Sequence, residues 1–149
     1  MNILFFLTPK SEVAYIYEDE SLRQALEKME YHKYSAVPVI NRYGKYVGTI
    51  TEGDMLWGIK NKLHLSLKEA EHVAVTVIDR RSDNRPVYAS SNMEDLIDKA
   101  LNQNFVPVVD DQKNFIGIIT RKDIIWYFYN KSQEGQPTEL VRQVAVGNE

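Results

Sequence analysis

The sequence predicts an α+β chain built from two similar units, each with the element order strand, helix, strand, strand, helix. The first observation is a heptapeptide that occurs twice, at residues 48–54 and 117–123, as Gly, any residue, Ile, Thr, two further residues and Asp. The second is the spacing, because Thr51 and Thr120 lie 120 − 51 = 69 residues apart, as do the paired glycines and aspartates. A fixed offset over several residue types indicates an internal duplication.

The third observation is that the same offset continues on both sides of the heptapeptide. Each unit has a proline between apolar residues, Pro38 and Pro107, ten residues before its glycine. Downstream, Trp57 aligns with Trp126. The units differ in one respect, since the link from the first helix to the proline strand is two residues shorter in the second unit.

The elements of the first unit follow from composition and periodicity. Residues 13–17 are β-branched and aromatic and predict a strand, and the acidic residues 18–21 precede a helix. Apolar residues at helical spacing give that helix one buried face: Leu22, Ala25, Leu26 and Met29. Residues 37–40 and 46–50 predict a pair of strands around a turn, and Thr51 with Asp54 predicts the start of the second helix.

The second unit repeats this order after a connector. The connector, residues 63–85, predicts a short helix capped by Ser66 and ends in a charged loop at 79–85. A strand at 86–88 and a helix beginning at 90–92 follow, then strands at 106–109 and 115–119 and a last helix over 123–129. We therefore expect a first repeat at 7–62, a second at 86–130 and a tail at 131–149.

Composition excludes several classes of protein. The 149 residues contain 18 Lys and Arg against 21 Asp and Glu, a net charge of −3, which favours neither nucleic acid nor a membrane surface as partner. The chain has no cysteine, which fits a reducing compartment. The apolar run at residues 3–7 is too short for a signal peptide or a membrane span. We expect a cytoplasmic protein.

The repeated Thr and Asp have two interpretations. Thr followed three residues later by Asp forms a helix capping box, which is purely structural. Alternatively, a helix N-terminus with a hydroxyl can bind a phosphate or hydroxyl group, and an ionised carboxylate accepts hydrogen bonds from a pair of ribose hydroxyls. The second interpretation also explains the glycine, which lets a ligand approach the backbone, and it predicts a nucleoside or nucleotide site.

The duplicated element order, the proline strand and the Gly-x-x-Thr-x-x-Asp motif resemble a tandem pair of CBS domains, also called a Bateman module. The resemblance covers about residues 7–129 and includes no catalytic or membrane domain. It implies two repeats packed through their sheets about a pseudo-twofold axis, usually as homodimers. It also implies clefts that bind adenosine-containing ligands such as AMP, ADP, ATP, S-adenosylmethionine or cyclic di-AMP, and a regulatory signal to a protein partner that the sequence does not identify.

The resemblance assigns roles to residues of both repeats. Asp54 and Asp123 would hold ribose hydroxyls, and Thr51 and Thr120 would meet the ribose or phosphate. Residues before or within the proline strands would face the base: Ser35, Ala36, Val37, Pro38, Asn104, Phe105, Val106 and Pro107. Residues entering the first strand of each repeat would close the cleft, namely residues 10–13 and 84–87, which include Lys10, Arg85 and Val87. Phe105 either stacks on a base or fills the cleft.

The two predicted sites differ in charge. Arg121 and Lys122 flank Thr120, and the connector adds Arg80, Arg81 and Arg85, whereas Glu52 and Gly53 follow Thr51. Because arginine pairs well with phosphate, we expect the nucleotide at the Thr120 and Asp123 site.

Three other interpretations are weaker. His32, His64 and His72 lack metal-ligand spacing, and no phosphate-binding loop or nucleophile elbow occurs, so we expect neither a metal nor a cofactor nor catalysis. An enzyme with groups that we do not recognise is a remote alternative. The aromatic residues 126–129 and Trp57 favour packing against a second subunit over a base platform. The main alternative is a ligand-independent homodimerisation or scaffold module in which Thr and Asp are only caps.

Overall fold

The computed structural model describes residues 1–64, 66–81 and 83–134. The predicted tail, apart from its first four residues, lies outside the described residues. Four helices are present in this part of the chain: α1 (Leu22–His32), α2 (Glu52–Lys62), α3 (Met93–Ala100) and α4 (Arg121–Ser132). Seven strands accompany them: β1 (Thr8–Pro9), β2 (Ile16–Tyr17), β3 (Ala36–Ile40), β4 (Tyr46–Thr51), β5 (Val87–Tyr88), β6 (Phe105–Val109) and β7 (Phe115–Thr120).

The strands form two sheets, one for each repeat. The first sheet has the order β2-β3-β4, and the second has the order β1-β7-β6-β5. In each repeat the short first strand pairs parallel with the proline strand, which pairs antiparallel with the next strand. The predicted α+β class and element order are confirmed. The strand predicted at residues 13–17 is shorter than expected, because β2 contains only Ile16 and Tyr17.

Each helix begins at a polar residue whose side chain accepts a hydrogen bond from a free backbone N–H group. Ser21 forms a capping box with Gln24, as the sequence predicts for an α1 that starts after the acidic residues. Asn92 caps α3, and the two motif threonines cap α2 and α4. The predicted serine cap at Ser66 does not form among the residues that the structure describes. A 3-10 turn at Glu69–Glu71 begins instead after Lys68, which makes no side-chain cap bond.

Two hydrophobic cores lie against the two sheets, and chain segments outside the repeats contribute to both. The first core contains Ala70, Val75 and Ile78 of the connector. The second contains Ile3 and Phe6 of the N-terminal 3-10 helix Ile3–Phe6, which is followed by β1 on the edge of the second sheet. The N-terminal segment therefore packs on the second repeat, and the connector packs on the first.

The pseudo-twofold relation is visible where the two turns meet. Lys45 and Asn114, which are 114 − 45 = 69 residues apart, form an antiparallel bridge with each other. The Lys45 ammonium donates to Asn114 Oδ1 at 2.7 Å, and the Phe115 N–H donates to the Gly44 carbonyl at 2.8 Å. Two positions related by a twofold axis can contact each other only if they lie near that axis. The pseudo-twofold axis therefore passes close to Lys45 and Asn114.

Candidate functional site

The first motif is closed within the protein. Asp54 is 3% exposed, and its carboxylate accepts one hydrogen bond from the Thr51 N–H and another from the Arg81 N–H, both at 3.1 Å. The Thr51 hydroxyl accepts from the Asp54 N–H, which completes a capping box. Both carboxylate oxygens of Asp54 are therefore engaged by backbone groups.

The second motif is open. Thr120 accepts from the Asp123 N–H at 3.1 Å, but Asp123 is exposed, and no donor to its carboxylate occurs among residues 1–64, 66–81 and 83–134. The carboxylate lies in the first turn of α4, near the positive end of the helix dipole, where a negative charge is stabilised. Asp123 is thus available to accept hydrogen bonds from a ligand.

A cavity of about 290 Å³ lies between the repeats beside Thr120. Its lining includes Ala36 and Pro38, which lie two residues apart and therefore on the same face of β3. Ile118 and Thr120 share one face of β7 in the same way. The lining is mostly apolar with a few polar groups: Thr8, Glu12, Val13, Ala14, Tyr34, Ser35, Ala36, Pro38, Asn104, Phe105, Ile118 and Thr120. This composition and this position between two repeats are typical of a small-molecule site.

A wider groove adjoins the cavity. Its volume is about 780 Å³, and Thr8 lines both spaces. Asp123 lies in the wall of this groove together with aromatic side chains of the N-terminus and α4: Phe5, Phe6, Trp126 and Tyr127. The cavity and the groove together bring apolar walls, the Thr120 hydroxyl and the exposed Asp123 carboxylate close to one another.

Four of the predicted ligand-binding residues line the cavity: Ser35, Pro38, Phe105 and Thr120. Asn104 and Ala36, predicted to face the base, line it as well. Phe105 is 6% exposed and forms part of the cavity wall.

Other predicted residues lie elsewhere. Val37, Val87 and Val106 are buried in the cores, Pro107 is buried within β6, and Thr51 and Asp54 belong to the closed motif. Lys122 is exposed on the first turn of α4, and Arg121 donates from Nε to the Ala100 carbonyl at 2.7 Å. The Lys10 ammonium lies 5.3 Å from the centre of the Tyr15 ring.

The connector arginines do not lie at the Thr120 site, contrary to the expectation from charge. Arg80 pairs with Asp83 beside β4, and the Arg81 guanidinium lies 5.2 Å from the Trp57 ring. Arg85 exchanges backbone hydrogen bonds with the Gln103 amide at the edge of a separate cavity of about 280 Å³. Arg80 and Arg81 therefore lie on the first repeat, whereas Arg85 lies beside Gln103 of the second repeat and does not line the Thr120 cavity.

Four residues of the cavity were not predicted: Thr8, Ala14, Tyr34 and Ile118. Ile118 was accessible to prediction, because it lies two residues before Thr120 and therefore shares its face of the strand. Thr8 was not, because nothing local indicates that an N-terminal strand crosses to the other repeat. Its pairing with Ile118 brings it to the cavity.

Two chemical features bear on other functions. No cluster of His, Cys, Asp or Glu that could hold a metal ion occurs within the described ranges. In the same part of the chain, every helix is too short or too polar to cross a membrane.

Comparison with known proteins identifies the family. The family model for the CBS domain matches residues 6–61 and 77–130, which correspond to the two repeats. The chain therefore belongs to the CBS-domain family and carries a tandem pair of these domains.

Two solved structures with similar folds contain nucleotides. The fold matches that of CbpB in complex with c-di-AMP with a TM-score of 0.78 at 26% identity, over 87% of this chain and 85% of that one. It matches CBSX2 in complex with AMP with a TM-score of 0.69 at 25% identity, over 88% and 98% of the two chains.

A curated relative is the L-aspartate semialdehyde sulfurtransferase of Methanocaldococcus jannaschii, 29% identical over 112 residues. The match covers 74% of this chain and only 20% of that protein. The similarity is therefore confined to a small part of the relative.

Proposed function

We propose that this protein is a regulatory module that binds an adenosine-containing nucleotide in the cleft beside Thr120 and Asp123. The observation that carries the proposal is the cavity itself, which joins Thr120 to residues preceding both proline strands and adjoins the groove that Asp123 lines. AMP and c-di-AMP in the two similar solved structures support the choice of an adenine ligand.

The cavity suits a base. Its volume of about 290 Å³ is at the lower end of ligand pockets, and its apolar walls at Pro38, Phe105 and Ile118 favour a flat, weakly polar ring. Polar groups of Ser35 and Asn104 at the rim supply donors and acceptors that can select among bases.

The ribose and phosphate would lie towards the groove. An ionised Asp123 accepts hydrogen bonds only, so it matches two ribose hydroxyls, while the Thr120 hydroxyl can both donate and accept. The N-terminus of α4 and the exposed ammonium of Lys122 favour a phosphate nearby. Binding in a cleft between two repeats would favour one arrangement of the repeats over another, which a protein partner could read.

Thermal unfolding tests this proposal. The wild-type protein is heated with AMP, ADP, ATP, S-adenosylmethionine or cyclic di-AMP, and with GTP as the control for base identity. A ligand at 100 times its Kd adds about 2.7 kcal/mol, equivalent to several degrees in Tm for a chain of this size. We expect such a shift with at least one adenine ligand, and we expect Asp123→Asn to remove most of it.

A matched control variant is available in α3. Asp95 occupies the same position relative to its cap Asn92 as Asp123 does relative to Thr120, and it is exposed on a helix that does not line the cavity. Asp95→Asn is expected to keep the full ligand shift. Equal loss in both variants, or no shift with any adenine ligand, would contradict the proposal.

A second candidate function, homodimerisation, is supported by exposed apolar residues that repeat at the same offset. Leu56 on α2 and Ile125 on α4 are 59% and 60% exposed, and Trp57 and Phe128 lie beside them at 38% and 42%. Leu56 and Ile125 are 125 − 56 = 69 residues apart, so the two repeats expose a large apolar side chain at equivalent positions. Exposed apolar side chains that recur in this way support an interaction surface.

Sedimentation equilibrium tests the dimer. We expect the wild-type protein to sediment at twice its chain mass and Ile125→Glu to sediment as a monomer, because a charge would be buried in the interface. Val77→Glu, at a residue that is 42% exposed in the connector, serves as the control and is expected to remain dimeric. A monomeric wild-type protein would exclude the scaffold function.

A further inference from the structure

Residues of the connector cover the backbone and the carboxylate of the first motif. β4 is the edge strand of the first sheet, and the Thr49 N–H donates to Asp83 Oδ1 at 2.9 Å. The same oxygen accepts from Arg80 Nε at 2.7 Å, so a paired carboxylate and guanidinium lie over this edge. A Cβ atom at Gly48 would collide with both side chains, which shows how closely the pair approaches the backbone.

The connector is held at further points along its length. The Arg81 N–H donates to Asp54, and the Asn84 carbonyl accepts from the Tyr46 hydroxyl at 2.6 Å. Asn84 also donates from Nδ2 to the Phe105 carbonyl at 3.1 Å, which ties the connector to the second repeat. These contacts leave neither Asp54 nor the β4 edge free.

The second repeat lacks this arrangement. In the second repeat β7, the counterpart of β4, is covered by the backbone of β1, and the three atoms nearest to a Cβ at Gly117 belong to Leu7, Thr8 and Pro9. Glu12 precedes β2 by four residues, as Asp83 precedes β5, but it lines the open cavity and makes no side-chain hydrogen bond within the described part of the chain. The difference between the two clefts therefore comes from what the connector does.

We infer that residues 80, 81, 83 and 84 of the connector act as an internal ligand that closes the first cleft, so that each chain binds one nucleotide. This inference rests on the proposed function. It adds the number of nucleotides that each chain binds and the residues that determine that number. The connector brings a carboxylate to a backbone donor and a backbone donor to Asp54, which are the two kinds of group that a nucleotide phosphate and ribose would bring.

Amide hydrogen exchange tests the closure without any nucleotide. We expect the Thr49 N–H to exchange about ten-fold faster in Asp83→Ala than in the wild-type protein, because its hydrogen bond to a charged acceptor is lost. Asp79→Ala is the control, since Asp79 immediately precedes this segment, pairs with Lys62 at 3.5 Å and has a side chain that is 86% exposed. Equal rates for Thr49 in all three proteins would overturn the inference.

Calorimetric titration with AMP tests the stoichiometry. One molecule per chain, bound with unchanged affinity by Asp54→Asn and with affinity reduced at least about ten-fold by Asp123→Asn, is the expected result. Two molecules per chain, one of which is lost in Asp54→Asn, would overturn the closed cleft while leaving the proposed function intact. Absence of binding would count against AMP as the ligand, and the exchange rates of Thr49 would still decide whether the connector closes the first cleft.

Discussion

Asp54 and Asp123 occupy equivalent positions in the two repeats, yet the first is 3% exposed with both carboxylate oxygens bonded and the second is exposed. The same motif thus has a structural role in one repeat, whereas in the other its carboxylate is exposed and accepts no hydrogen bond from the described residues. The pair separates the capping role of the motif from its proposed ligand role within one chain.

The first prediction concerns the stability of the protein without ligand. Asp54→Ala is expected to lower the free energy of unfolding by about 1–3 kcal/mol, because the N–H groups of Thr51 and Arg81 lose their acceptor in a buried place. Asp123→Ala is expected to change it by less than about 0.5 kcal/mol, as at most exposed sites. Urea unfolding of both variants measures this, and equal losses would contradict the assignment of the two roles.

The second prediction concerns Tyr46, whose hydroxyl bonds the Asn84 carbonyl and contacts Thr49 Oγ1 at 2.7 Å. Burial raises the pKa of the Tyr46 phenol above its ordinary value, so the group remains a neutral donor at all physiological pH values. Tyr46→Phe leaves the Asn84 carbonyl without this donor and is expected to cost about 1–2 kcal/mol in thermal unfolding.

The matched control for Tyr46 is Tyr43, which is 85% exposed in the neighbouring turn. Tyr43→Phe is expected to leave Tm unchanged. A Tm for Tyr46→Phe equal to that of the wild-type protein would show that the bond between Tyr46 and the connector contributes nothing to stability.

The third prediction uses the glycine before the second motif. Gly117 has a φ of 153°, and a Cβ atom there would collide with the Thr8 carbonyl of β1. Gly117→Ala is expected to destabilise the protein by roughly 1–3 kcal/mol and to detach β1 from the second sheet. Gly53→Ala is the control, because the nearest atom to its new Cβ is Thr51 Oγ1 at 3.7 Å. In a helix this change is expected to be neutral or stabilising by up to about 1 kcal/mol.

The measurement for the glycine pair is thermal unfolding combined with amide exchange in β1. Faster exchange of Thr8 in Gly117→Ala, with wild-type exchange in Gly53→Ala, is the expected pattern. Wild-type stability and exchange in Gly117→Ala would show that β1 is not held by close approach to this glycine.

The fourth prediction concerns pH. Hydrogen bonds from the Asn114 backbone and side chain lower the pKa of Asp110 below its ordinary value. A carboxyl group with a lowered folded-state pKa contributes stability above its unfolded pKa of about 3.9, and this contribution is lost as the pH falls through the folded-state value. The wild-type protein should therefore lose stability between about pH 5 and pH 2 partly through Asp110.

Asn41 in the equivalent turn shows how to test Asp110. Asn41 Oδ1 accepts from the Tyr43 and Lys45 N–H groups at 3.0 Å, so an amide at position 110 can keep the turn while removing the titration. Asp110→Asn is expected to lose less Tm than the wild-type protein between pH 5 and pH 2. An unchanged pH profile would contradict the role of Asp110.

Much of this fold was predictable, because the same pattern occurs in both halves of the sequence and each copy supports the prediction made from the other. The offset of 69 residues identifies the proline strand, the strand that follows it and the capped helix after that strand. These three elements are confirmed in both repeats. Thr120, Ser35 and Phe105, which the family resemblance predicts to contact a ligand, all line the cavity between the repeats.

The remainder depends on contacts between distant segments. The crossing of β1 to the second sheet and the folding of the connector onto the first leave no local pattern in the sequence. For this reason Arg80 and Arg81 were expected at the wrong repeat, and the burial of Asp54 was not expected. Identical motifs differ here because different segments cover them.

Calorimetric titration of the wild-type protein, Asp123→Asn and Asp95→Asn with AMP and with cyclic di-AMP tests whether Asp123 binds a nucleotide. We expect saturable binding of at least one of these ligands to the wild-type protein and to Asp95→Asn, with affinity reduced at least about ten-fold in Asp123→Asn, since a charged hydrogen-bond acceptor contributes about 1.5–3 kcal/mol. Binding that is unchanged in Asp123→Asn, or absent for both ligands in the wild-type protein, would contradict this expectation.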